Sequence, residues 1–422
     1  MIPTVFRRLM PTVLLLALAG STSTWAKAEV REMSVNVTNF EAKGDGVTDD
    51  TAAFQKALDD VSKRGGGVVS VPTGRYLIKG NLSVPDAVTL EGVWKLPPSN
   101  EKAPLSGSVL LAVEGSGKAD ATPFISLNTD SGLKGVTIFY PEQDNKNPRP
   151  YPWTVRGHGV NMSIIDVLMV NPWQAVDFGT NFCGRHLIRG LYAGAFHRGI
   201  FVDNCLDVGR IEDVHLWPFY GPNPGARKAM KDNGIAFIFG KTDWEYVTNC
   251  FAFGYGTGFV FQRGLSGQPG NVILTQSGSD ESPVCVRVER AQPHSGIAFS
   301  NCQMMGTVVT TGDNNGPLKF ANCGFWPVSE TDSFALLEGH ATVTFTGCHF
   351  YDWGRKDANS PGILAKNGAL IVSSCDFMSG KPKITLEKDV ISAVIYGNRM
   401  RGGEKITNNS KGKVKIDLNV DL

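Results

Sequence analysis

Along most of the chain, apolar residues occur in short runs separated by Gly, Asn and Asp, and one stretch near the start has helical spacing instead. The apolar positions of that stretch are Ala52, Phe54, Ala57, Leu58 and Val61. Asp50 or Thr51 can cap its first turn, and three glycines follow it at residues 65–67. We therefore predict one amphipathic helix over residues 51–64, at the N-terminal end of a chain otherwise made of strands and turns.

A four-residue signature recurs from residue 90 to residue 375: an apolar residue, any residue, a Gly, Asp, Asn or Ser, and then an apolar residue or Cys. Its third positions are Gly92, Gly135, Asp166, Gly190, Asp213, Asn249, Asn301, Asn322, Gly347 and Ser374. The uninterrupted spacings lie between 21 and 27 residues, and the longer gaps fit one coil with an insertion or two coils. Three short strands and three turns need about that many residues, so the repeat predicts an all-β, single-stranded parallel β-helix of about 10 or more rungs.

The repeat also assigns a conformation to two of its positions. The third position should adopt a left-handed turn, which Gly, Asn and Asp tolerate best, and the fourth should point inward. Five of the eight cysteines occupy that fourth position: Cys250, Cys302, Cys323, Cys348 and Cys375. We predict that they form a buried column of free thiols. The chain has no CxxC motif and no matching His cluster, so we predict no metal ligands and no cofactor.

Composition and the N-terminal segment restrict the function further. The chain has 41 Lys and Arg against 40 Asp and Glu, with no basic block, which argues against a nucleic-acid partner. Residues 1–28 run from basic to apolar to small, the order of a secretory signal peptide, and the apolar run is too short for a membrane anchor. We therefore expect a secreted or periplasmic protein without stable membrane insertion.

The repeat favours a single β-helix domain over residues 29–422. We divide it into an N-terminal cap at 29–80, rungs with groove-forming loop insertions at 81–296, and regular rungs at 297–422.

Two segments carry a family resemblance. Residues 39–58 (NFEAKGDGVTDDTAAFQKAL), followed by GGGVVSVPTGRYLI at 65–78, resemble the start of the pectate-lyase-like superfamily, in the part related to glycoside hydrolase family 28 and to phage tailspike depolymerases. The resemblance implies a right-handed parallel β-helix and a carbohydrate ligand. It does not imply one reaction, since the superfamily includes hydrolases, lyases, epimerases and non-catalytic fibres. The catalytic pattern of polygalacturonases is missing.

Loop insertions indicate where a groove would lie. The insertions at residues 141–152 and 218–233 are rich in Pro and aromatic residues, and loops that vary on constant rungs usually form the binding face. Flat rings suit the apolar faces of sugars, although any one of them can equally shield the core. The rings in this region are Tyr151, Trp153, Trp173, Trp217, Phe219, Tyr220 and Trp244.

Strand parity selects the candidate acids. If Val176, Phe178, Ile200 and Val202 point inward, Asp177 and Asp203 point outward from one sheet, with backbones roughly 8 Å apart. Such a pair fits the general acid and base of an inverting glycosidase. Asp207, Asp243 and Glu245 follow on neighbouring rungs, and we expect the five acids to converge. Solvated turns are the alternative for each of them, and Asp166 and Asp213 belong to the turn column.

Basic residues in the same region complete the predicted site. As substrate-binding residues we predict Arg198, His197, Lys241, Trp244, Trp217, Tyr220 and Arg263. The cations can hold a uronate carboxylate, or neutralise it in a lyase whose base is an Arg, Lys, His or Tyr.

Three functions therefore stay open. The first is an exported glycoside hydrolase that cleaves a polysaccharide through paired Asp residues, with Asp203 the strongest candidate. The second is a polysaccharide lyase, with Ca²⁺ as a possible cofactor, and the third is a non-catalytic glycan-binding protein. The partner in each is a polysaccharide or oligosaccharide, and the protein itself is a monomer or a homotrimer.

Overall fold

The structure is a computed structural model that describes residues 34–98, 103–219 and 224–421. The predicted signal peptide and Tyr220 lie outside these residues. Residues from Met33 to Leu422 form one compact unit. Its strands pair in parallel, each with the strand one rung further along the chain, and the coil makes about 15 turns. The predicted parallel β-helix is thus confirmed.

The strands form three faces, which follow one another around each rung in the order A, B, C. Face A has strands Ser34–Asn36, Gly67–Ser70, Val88–Glu91, Gly132–Lys134, Cys205–Glu212, Thr242–Thr248, Val272–Thr275, Ile297–Ser300, Leu318–Ala321, Thr342–Thr346 and Lys413–Asp417. Face B has strands Asp45–Asp49, Gly74–Ile78, Ser108–Ala112, Val136–Phe139, His215–Leu216, Phe251–Phe253, Gly278–Asp280, Gln303–Met305, Gly324–Trp326, His349–Phe350, Asp376–Phe377, Arg399–Met400 and Val420–Asp421. Face C has strands Leu82–Val84, Ile125–Leu127, Trp153–Gly157, Gln174–Phe178, Arg198–Val202, Ile235–Phe239, Thr257–Phe261, Val284–Val288, Thr307–Thr310, Ala335–Leu337 and Ile406–Asn408.

Four long strands bend from one face to the next. Ser163–Val170 and Leu187–Ala193 run from face A to face B, and Ile363–Ser373 and Ile384–Tyr396 run from face C to face A. A short separate pair joins Gly159–Val160 to Cys183–Gly184.

The turn between faces A and B is the column that the repeat predicts. Its members Gly135, Asp166, Gly190, Asp213, Asn249, Asn301, Asn322, Gly347 and Ser374 all have φ between 53° and 66°. Gly92 does not adopt a positive φ. Gln276 (φ 50°), Gly397 (φ 66°) and Leu418 (φ 55°) continue the column at rungs that the signature missed. The 52-residue gap between Cys250 and Cys302 is therefore two coils, with Gln276 in the turn between them.

The interior is apolar, and the predicted thiol column lies within it. All eight cysteines are buried and free. The Cys323 thiol donates to the Phe299 carbonyl at 3.7 Å, and the Cys348 thiol to the Phe320 carbonyl at 3.6 Å, so each thiol contacts the preceding rung. Where Ser277 replaces Cys in the column, its hydroxyl accepts a hydrogen bond from the backbone N–H of Cys250.

Two α-helices and one 3₁₀ helix, Val37–Phe40, occur in the described residues. Helix α1, Thr51–Lys63, buries Phe54, Ala57, Leu58 and Val61, four of the five positions that the sequence pattern selects, and the fifth, Ala52, is exposed. Asp50 occupies the N-cap position as expected, but its side chain makes no capping hydrogen bond. The Asp50 carboxylate accepts from the N–H groups of Lys43 and Gly44, and the Thr51 hydroxyl accepts from Lys79 and Gly80.

Helix α2, Pro224–Asn233, lies in the insertion that the sequence pattern left as a loop. Neither α-helix, among the residues described, is long and apolar enough to cross a membrane.

Candidate functional site

The predicted catalytic acid Asp177 is fully buried. Its neighbours Val176 and Phe178 point inward as expected, and Asp177 lies in register with Arg156 one rung before it. One carboxylate oxygen is 2.6 Å from Arg156 Nε. The other accepts from the N–H groups of Gly179 and Thr180 at 3.0 and 2.8 Å. These contacts give Asp177 a structural role in the turn after face C.

Asp203, the strongest predicted acid, is 1% exposed. Oδ1 accepts from the backbone N–H groups of Asn204 and Lys241 at 2.7 and 2.6 Å, and Oδ2 accepts from that of Leu265 at 2.8 Å. Asp203 therefore ties three backbone segments together. It does border an open cavity with Arg263, but its hydrogen bonds go to the backbone.

Glu245 does not face solvent either. It points into the core from strand Thr242–Thr248, where Oε1 lies 3.0 Å from His186 Nε2, and both residues are fully buried. Burial, the largest single effect, lowers the pKa of His186, but the charge of Glu245 and the contacts with Glu245 and Cys205 together outweigh it and raise that pKa well above its usual value. The Cys205 thiol lies 3.7 Å from the other imidazole nitrogen.

The last two predicted acids are exposed and lie elsewhere. Asp207 Oδ2 is 3.5 Å from Arg185 Nη1, and Asp243 accepts a hydrogen bond from Asn271 through its backbone carbonyl. The predicted convergence of five acids is therefore wrong. Strand parity predicts the face of the sheet from which an acidic side chain projects, but it does not predict which backbone N–H groups hydrogen-bond to the carboxylate.

The predicted substrate-binding residues are spread over different surfaces. Lys241 and Arg263 share an open cavity of about 370 Å³ with Gln268 and Gln292. Arg198 is exposed at the start of its strand on face C. Trp244 is exposed on face A, 6.3 Å from the Tyr246 ring between ring centroids.

The other two described members of that set lie in loops that lead from face B to face C. The His197 ring stacks on Trp173 with the ring centroids 5.0 Å apart. Burial, together with the charge of Arg198, lowers the pKa of His197. Trp217 lies 4.1 Å from Phe253 between ring centroids.

A concave surface runs along face B and the turn column, and we call it the aromatic groove. Its first part, of about 350 Å³, is lined by Tyr192, Asp213, Val214, His215, Asn249 and Phe251. Its second part, of about 440 Å³, shares Asn249 and Phe251 and ends at Trp326. The two parts together extend from the rung of Tyr192 to that of Trp326.

His215 lies in the first part of the groove, among four aromatic rings. The centroid distances are 5.1 Å to Phe219 and to Phe251, 5.9 Å to Tyr192 and 6.2 Å to Trp217. Its Nε2 atom is buried and has no hydrogen-bond partner among the described residues. Burial lowers the pKa of His215, so the imidazole is neutral near pH 7 and can accept a proton.

Asp280 is the acid of the second part, and the sequence analysis did not select it. It lies in register with Phe253 one rung away. Burial, reinforced by the charge of Glu281, raises the pKa of Asp280. Its rung is the one where Gln276 and Ser277 replace the usual turn residue and Cys, so the repeat signature could not place it. A search that allowed Gln and Ser at those positions would have found it.

The two insertions contact each other. Gly225 of α2 packs so closely on the carbonyl of Lys146 that no side chain fits there. Arg227 of the same helix places its guanidinium 5.4 Å from the Phe253 ring centroid. Helix α2 therefore brings positive charge to the Phe253 ring, which is in register with Asp280 of the second part of the groove.

Comparison with known proteins agrees with the fold. Residues 34–133 match the family model "Rhamnogalacturonase A/epimerase, pectate lyase-like". The chain is 47% identical over 58 residues to alginate lyase 7 of Azotobacter vinelandii, which is 14% of this chain and 7% of that protein. The chain thus spans less than a tenth of the length of this curated relative.

Two solved structures resemble most of the chain. The A-module of mannuronan C-5 epimerase AlgE6 from Azotobacter vinelandii has a TM-score of 0.59 at 17% identity, over 91% of this chain and 99% of that one. The N-terminal fragment of bacteriophage phi29 gene product 12 has a TM-score of 0.53 at 14% identity, over 92% of this chain and 70% of that one. We conclude that the chain has the parallel β-helix fold of these two structures, and that its residues 34–133 match the pectate-lyase-like family model.

Proposed function

We propose that this protein is an enzyme that acts on a uronate-containing polysaccharide in the aromatic groove, by removing the proton next to the uronate carboxylate. The observation that carries the proposal is His215, a half-buried, neutral imidazole that lines a groove among aromatic rings. The names of the similar proteins, an alginate lyase and a mannuronan epimerase, support the same substrate class.

The chemistry needs a base, a proton donor and a positive charge. His215 takes the proton from the carbon that bears the carboxylate, and its pair of electrons stays on that carbon. The carbanion then either expels the glycosidic oxygen at the neighbouring position, which is elimination, or regains a proton on its opposite face, which is epimerisation. Tyr192, whose ring lies 5.9 Å from that of His215, is the candidate proton donor. Arg227 is the candidate partner of the carboxylate.

The hydrolase that the sequence favours has weaker support. Asp177 and Asp203 use their oxygens on Arg156 and on backbone N–H groups, so neither carboxylate is free to activate a water molecule. Export through residues 1–28 belongs to the same proposal, since polysaccharides of this class lie outside the cytoplasm.

The test is an assay of the purified protein in D₂O against a panel of uronate polysaccharides, including mannuronan and polygalacturonate. We expect deuterium at the carbon next to the carboxylate, or ultraviolet absorbance from an unsaturated uronate. His215→Gln should lower kcat/KM by roughly 10²–10⁴-fold, the usual effect of losing a general base.

The matched control is His340→Gln, which changes an exposed histidine and should leave kcat/KM unchanged. Saturated reducing ends without deuterium would show hydrolysis and overturn the proposal. Glycan binding with no product on any polymer would show a binding protein instead, and would overturn it too.

A further inference from the structure

Three metal-ligating side chains converge beneath face A, away from the aromatic groove. His186 precedes strand Leu187–Ala193, Cys205 begins the strand of the next rung, and Glu245 lies on the rung after that. Glu245 Oε1 is 3.0 Å from His186 Nε2, and Cys205 Sγ is 3.7 Å from His186 Nδ1. One donor atom from each residue lies within 4.8 Å of the other two, and all three residues are buried.

These polar residues point into a core that is mainly apolar. The inward positions in register with Glu245 are Gly209 on the rung before and Val272 on the rung after. A side chain at Gly209 would collide with Glu245 Oε2 and with the His186 ring, so the glycine makes room for the group. The neighbouring rungs thus accommodate a buried carboxylate that an apolar core does not need.

The contacts among these three residues leave one oxygen of the Glu245 carboxylate without a hydrogen-bond partner. Glu245 Oε2 is buried and has no hydrogen-bond partner among the described residues. Burial of a carboxylate oxygen without a hydrogen-bond partner destabilises the folded protein, because the oxygen loses its hydration and no protein contact replaces it. A cation beside Oε2 would remove that cost.

We propose that His186, Cys205 and Glu245 bind one divalent transition-metal ion of the zinc class. An imidazole nitrogen, a thiolate and a carboxylate oxygen are its usual protein ligands, at about 2.0–2.3 Å from the metal. Donors at those bond lengths in a tetrahedral arrangement lie roughly 3.3–3.8 Å apart. Glu245 and Cys205 contact different nitrogens of the His186 ring, so only one of these nitrogens can bind the ion, and the three donor atoms, which lie within 4.8 Å of one another, draw closer together when it binds. The ion displaces two protons, that of the Cys205 thiol and the one held between His186 and Glu245, and both pass to the buffer. Its role is structural, because it joins three successive rungs.

The first experiment measures metal in the full-length protein, equilibrated with Zn²⁺ and then dialysed, by elemental analysis. We expect about one Zn²⁺ per chain. Replacement by Co²⁺ should give a thiolate-to-cobalt charge-transfer band in the near ultraviolet. Cys205→Ser should abolish the band, and Glu245→Gln should weaken Zn²⁺ retention at least tenfold.

The matched control is Cys183→Ser. Cys183 is a buried free thiol one rung before Cys205, and it lies outside the three-residue group. Both the metal content and the charge-transfer band should therefore persist in this variant. If Cys205→Ser does not fold, the proposal is tested on the wild-type protein. A chelator should lower its unfolding temperature, and added Zn²⁺ should restore it. No retained ion in the wild type, or a band that survives in a folded Cys205→Ser variant, would overturn the proposal.

Discussion

Asp203 shows how a carboxylate with the attributes of a catalyst can have a structural role. It belongs to a groove-forming part of the chain and borders a cavity, yet its two oxygens accept three backbone hydrogen bonds from Asn204, Lys241 and Leu265. In Asp203→Asn the amide N–H₂ replaces one acceptor and faces a backbone donor. We expect a loss of about 1–3 kcal/mol in the free energy of unfolding, measured with urea.

The comparison variant for this prediction is Asp207→Asn. The Asp207 carboxylate is exposed and lies 3.5 Å from Arg185, so this variant should have the same free energy of unfolding as the wild type. Folded Asp203→Asn should keep the wild-type kcat on the true substrate. An unchanged stability together with a lost activity would return Asp203 to the catalytic role that the sequence suggested.

Single residues also mark the limit of the sequence analysis. Periodicity correctly assigned Val176 and Phe178 to the interior, because alternation along a strand is a local property. It could not show that Arg156 covers Asp177, or that aromatic rings enclose His215, because those contacts join different rungs and depend on loop paths. The sequence analysis therefore placed the binding face at residues 141–152 and 218–233, whereas the residues that line the aromatic groove lie on face B and in the turn column.

Among the elements, the turn column is what the sequence predicted best. The turn needs a left-handed backbone, and this requirement selects Gly, Asn and Asp often enough to be visible. Gln276, Ser374 and Leu418 adopt the same conformation without being the preferred residues, with φ between 50° and 55°. Two of these, Gln276 and Leu418, are members of the column that the signature missed.

Because the left-handed turn accepts Gly and Asn more readily than other residues, two substitutions in the column should change stability in opposite directions. Ser374→Asn should raise the free energy of unfolding by about 0.5–1 kcal/mol, since Asn tolerates the left-handed region better and the site is exposed. Gly347→Ala should lower it by at least about 1 kcal/mol, because φ is 63° and the new methyl group would meet Asn322 Oδ1. Thermal and urea unfolding measure both, and a stabilised Gly347→Ala protein would contradict the argument.

At the scale of the molecule, the coil behaves as a one-dimensional stack. Each rung packs mainly on the rungs before and after it, so stability is set by nearest neighbours. Phe299, Phe320 and Phe345 illustrate the coupling: consecutive rings stack at 4.8 and 5.1 Å between centroids, with planes 18° and 6° apart. Phe320 is 1% exposed and lies between the other two.

Removing the middle ring should therefore loosen part of the coil. We expect Phe320→Ala to cost about 3–5 kcal/mol, and hydrogen exchange to accelerate most between residues 297 and 346. Protection around α1 and strand Gly67–Ser70 should change least, because many intact rungs separate them from the cavity. Leu265→Ala is the control, since that side chain is 79% exposed and its removal leaves no cavity. Equal acceleration from residue 34 to residue 421 would mean that the coil unfolds as one cooperative unit, and the nearest-neighbour description would then fail.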